Sequence, residues 1–196
     1  SSDWKHYSLM SFILLGILNS QAAAGGGFPA VAGYVAGGRE GSEVATVDKF
    51  AFPDDTRTTL ATGLSSTRRF LAGLSNPSVA GYAAGGRTPT VVATVDKFAF
   101  PDDTRTTLAS GLSNARMQLA SFSNPSVAGY TGGGFEGSSR VTTVDKFAFP
   151  ADSRTTLGTG ISSARNRFKG FSNAGVAGYV AGGSEASEVA TVDKFA

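Results

Sequence analysis

Apolar and polar residues alternate in short runs along most of this chain, and each run ends at glycine or proline. In VVATVDKFAF, from Val91 to Phe100, Thr94, Asp96, Phe98 and Phe100 fall on one side of an extended strand and Val95, Lys97 and Ala99 on the other. Both sides carry groups that pack, because a lysine stem covers apolar surface while its ammonium reaches water. Such a strand is expected between two neighbours. Breaks at Asn76-Pro77, Gly85-Gly86 and Pro101-Asp102-Asp103 leave four segments, FLAGL, SVAGYAAGG, VVATVDKFAF and RTTLASGL, each of strand length and too short for an ordinary helix. Four antiparallel strands per unit describe a propeller blade.

The pattern repeats. TVDKFA occurs four times, with Asp48, Asp96, Asp145 and Asp193 spaced by 48 or 49 residues, and the segment from Val44 to Ala61 recurs letter for letter from Val92 to Ala109. A period of this length marks one supersecondary unit copied in tandem, whose copies bury similar faces against one another. The expected fold is all-β: a propeller of four-stranded blades, four in number and closed by an N-terminal strand, or else an open or partial propeller. The glycines of each unit, such as Gly81, Gly85 and Gly86, are expected at tight turns and close chain approaches.

Composition narrows the function classes. The chain has 196 residues, 41% hydrophobic, with 26 glycines and only 16% charged residues, which fits a turn-rich protein of short strands. A net charge of +2, with Asp beside nearly every cluster of Lys and Arg, argues against nucleic acid. The absence of cysteine excludes disulfides and thiolate sites. The one histidine, His6, lies outside the repeats, so no Ser-His-Asp arrangement or His-rich zinc site is available within them. Asp54-Asp55 and Asp102-Asp103 are read as turn residues connecting strands after a proline; calcium is a weaker use, since two or three oxygens beside an arginine fall short of a full shell. Asp48-Lys49 and its equivalents are placed to form ion pairs between units. No catalytic residue, metal or cofactor is assigned.

The order of Arg, short apolar strand, GY-x-x-GG, a Val-rich strand ending in Phe-x-Phe-Pro, Thr-Leu and Leu-Ser-x-x-Arg resembles the kelch repeat, whose units form β-propeller blades. The likeness covers Phe28 to Ala196 and rests most on the Gly pairs after Tyr34, Tyr82, Tyr130 and Tyr179 and on Arg68, Arg116 and Arg165. The Trp usual in kelch repeats is replaced by Thr59, Thr107 and Thr156, which departs from the eukaryotic adaptors. Blades rich in GGG, TVD and LSxAR are similar instead to kelch-like repeats of bacteriophage tail-fibre proteins, especially of phages infecting cyanobacteria. That resemblance implies a virion or extracellular location, with a host surface glycan or protein and other virion proteins as partners.

Residues 1–27 break the repeat and form a separate N-terminal segment before the repeat domain, 28–196. MSFILLGILNSQAAAGGG carries an apolar run from Leu9 to Leu18 and an alanine cluster like a signal-peptide cleavage site, yet is too short to span a membrane as a helix. FILLGIL reads equally as an assembly helix or as a strand completing the last blade. It also resembles the opening of phage tail-fibre and virion proteins, which would make Met10 the natural start.

The copies diverge most after the Gly pairs, at Arg39 and Glu40, at Arg87 and Thr88, at Phe135, Glu136 and Arg140, and at Glu185. Loops that vary on a constant scaffold are the expected ligand-binding surface, with Arg, Glu and an exposed Phe suited to sugar rings. The reading is a non-enzymatic binding module of a phage tail-fibre-like appendage. The alternatives are a purely architectural, self-assembling repeat protein that forms homo-oligomers and, further off, a secreted propeller enzyme or lectin.

Overall fold

The computed structural model describes Leu14–Leu15 and residues 32–196. Among the described residues every regular element is a strand. The second sheet shows the unit plainly: Ala72–Asn76, Ala80–Ala84, Val95–Ala99 and Thr104–Thr107 run as an antiparallel meander, each strand paired with the next. The third sheet repeats it with Ala120–Asn124, Ala128–Gly132, Val144–Ala148 and Ser153–Thr156. The fourth has three strands, Lys169–Asn173, Ala177–Ala181 and Val192–Phe195. In the first sheet Leu14–Leu15 precedes Ala32–Ala36, Val47–Ala51 and Thr56–Thr59. Register is conserved, with Lys49, Lys97, Lys146 and Lys194 opposite Tyr34, Tyr82, Tyr130 and Tyr179.

Local chemistry sets the meander. In Asn76-Pro77-Ser78-Val79 the proline holds the first corner, Ser78 takes a left-handed φ of 59°, and the Val79 amide closes on the Asn76 carbonyl at 3.0 Å. Gly85 follows the second strand with φ 65°, and a Cβ there would sit 2.5 Å from the Arg116 carbonyl oxygen, so both backbone conformation and space require glycine. The expected fourth segment, RTTLASGL, is a strand only over Thr104–Thr107; its remainder is a connector whose Leu112 turns inward.

The sheets stack face to face in chain order. Tyr34, Ala36 and Val47 of the first meet Ala83 and Phe98 of the second, with the connector residues Leu64 and Leu71 filling the joint. Leu74, Tyr82 and Val95 of the second meet Phe147 and Phe149 of the third, again with connector leucines, Leu112 and Leu119. Phe122 and Val144 of the third meet Val180 of the fourth beside Ile161 and Phe168. The alternation read from VVATVDKFAF therefore holds, with Phe98 facing one neighbour and Val95 the other. First strands lie closest: the Ser121 hydroxyl donates to the Gly73 carbonyl, the Ser75 amide donates to Ser123 Oγ at 3.2 Å, and Gly170 leaves no room for a Cβ against the Ser121 backbone.

Closure of the last unit by FILLGIL is not what the pairing gives. Leu14 and Leu15 pair with Val35 and Tyr34, taking the first-strand place in the first sheet that Ala72–Asn76 holds in the second. The reason is chain proximity, since FILLGIL precedes GYVAGG as FLAGLSN precedes GYAAGG, and a short meander needs no long return. Among the described residues no strand pairing links the fourth sheet to the first.

One buried ion pair locks each connector to the next sheet. Arg68 and Arg116 are completely buried. The Arg116 guanidinium donates to Asp145 Oδ2 at 2.6 Å and to the Thr143 carbonyl at 3.0 Å, and Arg68 does the same with Asp96 and the Thr94 carbonyl. The carboxylates are saturated: Ser113 donates to Asp145 Oδ2 from its amide and hydroxyl, and Thr156 Oγ1 donates to Oδ1 at 2.8 Å. Burial lowers the pKa of Arg68 and Arg116, and the facing aspartates counter that shift.

Candidate functional site

Each divergent loop leaves its sheet through a left-handed Gly pair and returns through a short hairpin or an isolated bridge. Arg39–Glu40 pairs with Ser42–Glu43, Arg87–Thr88 pairs with Thr90–Val91, and Phe135 and Ser184 bridge Arg140 and Glu188. The loops occupy the same position in every unit, so all four open at one edge of the stack. Each of the last three also bridges the preceding connector, through Arg69 to Arg87, Met117 to Phe135 and Asn166 to Ser184.

The side chains predicted to bind ligand divide into two groups. Thr88, Glu136 and Glu185 turn inward to the preceding connector: Thr88 Oγ1 lies 3.2 Å from Thr67 Oγ1, and at positions equivalent to each other Asn114 Nδ2 donates to Glu136 Oε1 at 3.2 Å and Ser163 Oγ donates to Glu185 Oε1 at 2.5 Å. Arg87 Nε donates to the Pro89 carbonyl at 2.8 Å, and Arg140 Nε donates to Asn166 Oδ1 at 3.1 Å. Arg39 and Glu40 are exposed, with Arg39 held lightly by the Gly41 carbonyl at 3.2 Å. Phe135 is half-buried, not exposed as expected, because its amide and carbonyl both bond to Met117 and draw the ring toward the connector. The structure thus brings the last three loops onto the preceding connectors and does not bring the eight side chains into one cluster. Among the described residues no three His, Cys, Asp or Glu side chains converge as metal ligands.

A second constellation joins consecutive sheets; its lysines were expected to pair between units, but the aspartate and tyrosine they meet were not foreseen. Tyr34 hydroxyl donates to Asp103 Oδ1 at 2.7 Å and Lys49 Nζ to Asp103 Oδ2 at 2.8 Å. One unit later Tyr82 and Lys97 hold Asp152 at 2.7 and 2.6 Å. Phe100 and Phe149, from the same turns, stack on Tyr34 and Tyr82 with centroids 5.1 and 5.5 Å apart. Burial, and then the adjacent aspartate, push both phenols far above their ordinary pKa, so they remain neutral donors. Asp103 and Asp152 sit at left-handed φ of 56° and 55°, a conformation that aspartate tolerates better than most residues. The signal was present in the third turn, where Ala151 replaces the first aspartate while Asp152 is kept.

At the third joint Phe122, Tyr130, Lys146, Leu157 and Phe195 line a cavity of about 300 Å³. Phe122 stacks on Tyr130 and Phe195 at 4.8 and 5.3 Å.

No protein-family model matches this chain, and no curated protein matches it significantly.

Proposed function

We propose that this chain is a non-enzymatic recognition module, a kelch-like propeller segment of a phage tail-fibre-like or virion appendage, that binds a host surface glycan or protein through the loops following its Gly pairs. The observation that carries this reading is positional. Four loops of different composition open at one edge of a scaffold whose sheets are nearly identical, the arrangement expected where recognition varies and support does not. Of the eight side chains singled out, Arg39, Glu40 and Arg140 are exposed, and the loops anchored on Thr67, Asn114 and Ser163 lose little freedom on binding. Several weak contacts on one rigid body also multiply through avidity.

The test is binding of the isolated chain to a glycan array and to host envelope fractions, followed by exchange of the four loops for Gly-Ser segments. Binding that is lost on exchange, with the fold intact by circular dichroism, supports the reading. Failure to bind any envelope component removes it.

A further inference from the structure

The joints between sheets carry different chemistry at one pair of positions. The residue before Val44, Val92 and Val141 ends each loop, and the residue after Arg68, Arg116 and Arg165 lies on the connector that follows. At the first joint these are Glu43 and Arg69, an ion pair at 3.2 Å whose charges cancel. At the second they are Val91 and Met117, with no charge to balance. At the third, Arg140 Nε donates to a neutral group, Asn166 Oδ1, at 3.1 Å, and the cation is left over. Asn166 is 5% exposed and donates from Nδ2 to Gln118 Oε1 at 2.7 Å. That bond fixes which end of the Gln118 amide accepts and leaves Nε2 as a donor that no protein acceptor among the described residues meets. Gln118 is held from both sides at a left-handed φ of 55°: its amide donates to the Phe70 carbonyl at 2.8 Å, and its carbonyl accepts from the Arg167 amide at 3.0 Å. Arg140 is exposed, and no carboxylate among the described residues lies within ion-pair distance of it. The carboxylate of its own loop, Glu136, is engaged by Asn114 at 3.2 Å.

We propose that Arg140 and Gln118, held in place by Asn166, form an anion site that takes the carboxylate of an acidic saccharide. The proposal rests on the glycan reading above and names the class of glycan. Its groups come from the third loop and from the connectors on either side of it, all in the interior of the chain. With only Nε bonded to Asn166, the terminal nitrogens of Arg140 keep a planar fork that matches two carboxylate oxygens, and Gln118 Nε2 adds a neutral donor. One uncompensated cation is matched by one negative charge, which favours a carboxylate over a phosphate dianion. Asn166 is the positioning residue: bonded at once to the loop and to the preceding connector, it sets both donors before a ligand arrives, so little ordering is left to binding. The first two joints cannot do this, since Glu43 already neutralises Arg69 and Val91 and Met117 offer no polar group.

The test is calorimetric titration of the whole chain with an oligogalacturonate, set against the same oligomer reduced to its neutral alcohol. The acidic oligomer should bind on the order of tenfold more tightly than the neutral one, and its affinity should fall as salt rises. Arg140→Gln keeps a donor for Asn166 and removes the charge. Gln118→Glu keeps the acceptor for Asn166 and puts a carboxylate where the free donor stood. Each should weaken the acidic oligomer about tenfold or more and leave the neutral one unchanged, with the fold verified by circular dichroism. Arg57→Gln, at an exposed arginine on the outer strand of the first sheet, should change neither affinity. Equal affinity for the two oligomers, binding indifferent to salt, or Arg140→Gln and Gln118→Glu variants that bind like wild type overturn the proposal. So does an equal loss with Arg57→Gln, which marks net charge rather than a site. A sulfated galactan that binds as tightly as the uronate overturns the assignment to carboxylate. If neutral envelope glycans bind through the loops and the uronate does not, this site fails and the recognition function stands; if no envelope component binds, both fall.

Discussion

The joint between the second and third sheets and the free face of the fourth are made from nearly the same residues in opposite situations. TVDKFA places Val95 and Val144 inside the stack, and the same six letters leave Val192 on its surface. At the second joint Tyr82, Lys97, Phe149 and Asp152 interlock; in the fourth sheet Tyr179 and Lys194 stand opposite each other and no aspartate among the described residues meets them. The difference teaches that these strands form by local pattern, while their burial belongs to whichever sheet lies next in the stack. Energetically identical sequences should therefore carry very different weights in the two places.

Arg116→Ala is the strongest way to examine that contrast. It strands the Asp145 carboxylate in a buried site and should cost about 3–5 kcal/mol in urea denaturation. Arg165→Ala should cost less, because the Asp193 side chain keeps 14% of its surface in water. Equal losses would break the comparison. Phe149→Ala empties a packed position against Tyr82 and should cost about 3 kcal/mol, whereas Phe52→Ala, at the open end, should stay within about 0.5 kcal/mol, both read from the denaturation midpoint. Tyr82→Phe removes the phenol donor to Asp152 and should cost about 1.5 kcal/mol, while Tyr179→Phe should leave monomer stability unchanged.

The smallest effects are those of pH. Burial tends to raise the pKa of Asp193, but the bonds from Ser162 and Arg165 outweigh it and hold the group below its ordinary value. A carboxylate depressed in the folded state contributes stability above its unfolded pKa and loses it as pH falls through the folded one. The stability difference between wild type and Arg165→Gln should therefore shrink in strong acid. The alkaline side has the reverse sign. With folded pKa values raised, Tyr34 and Tyr82 contribute fully below the ordinary phenol value of 10.0 and lose that contribution as pH rises through the elevated values. Tyrosinate absorbance should show a late phase that disappears in the Tyr34→Phe/Tyr82→Phe variant.

Much of the fold was legible because it is local. The breaks at Asn76-Pro77 and Gly85-Gly86 mark turns by backbone conformation alone, and the alternation in VVATVDKFAF correctly assigned Phe98 and Val95 to opposite neighbours. The aspartates after Pro101 were read as turn formers, which they are, and Asp152 in the next copy takes the same place. Their second role, reaching across to Tyr34 and Tyr82, was hidden because it depends on a register between sheets that no stretch of contiguous residues encodes. The loop residues show the same limit: Phe135 could be placed on a loop, but not turned toward Met117, until the bridge between connector and loop was seen.

What the sequence determined by itself is the repeat, the strands, the turns and the outward variation of the loops, since these follow from periodicity, proline and glycine geometry and chain order. Tertiary structure alone decided that Arg68 and Arg116 are buried with Asp96 and Asp145, that Leu14–Leu15 completes the first sheet, and that one TVDKFA is core and another surface. The physical reason is that burial, ion pairing and edge completion are properties of two surfaces in contact, and in this chain those surfaces come from residues a full repeat apart.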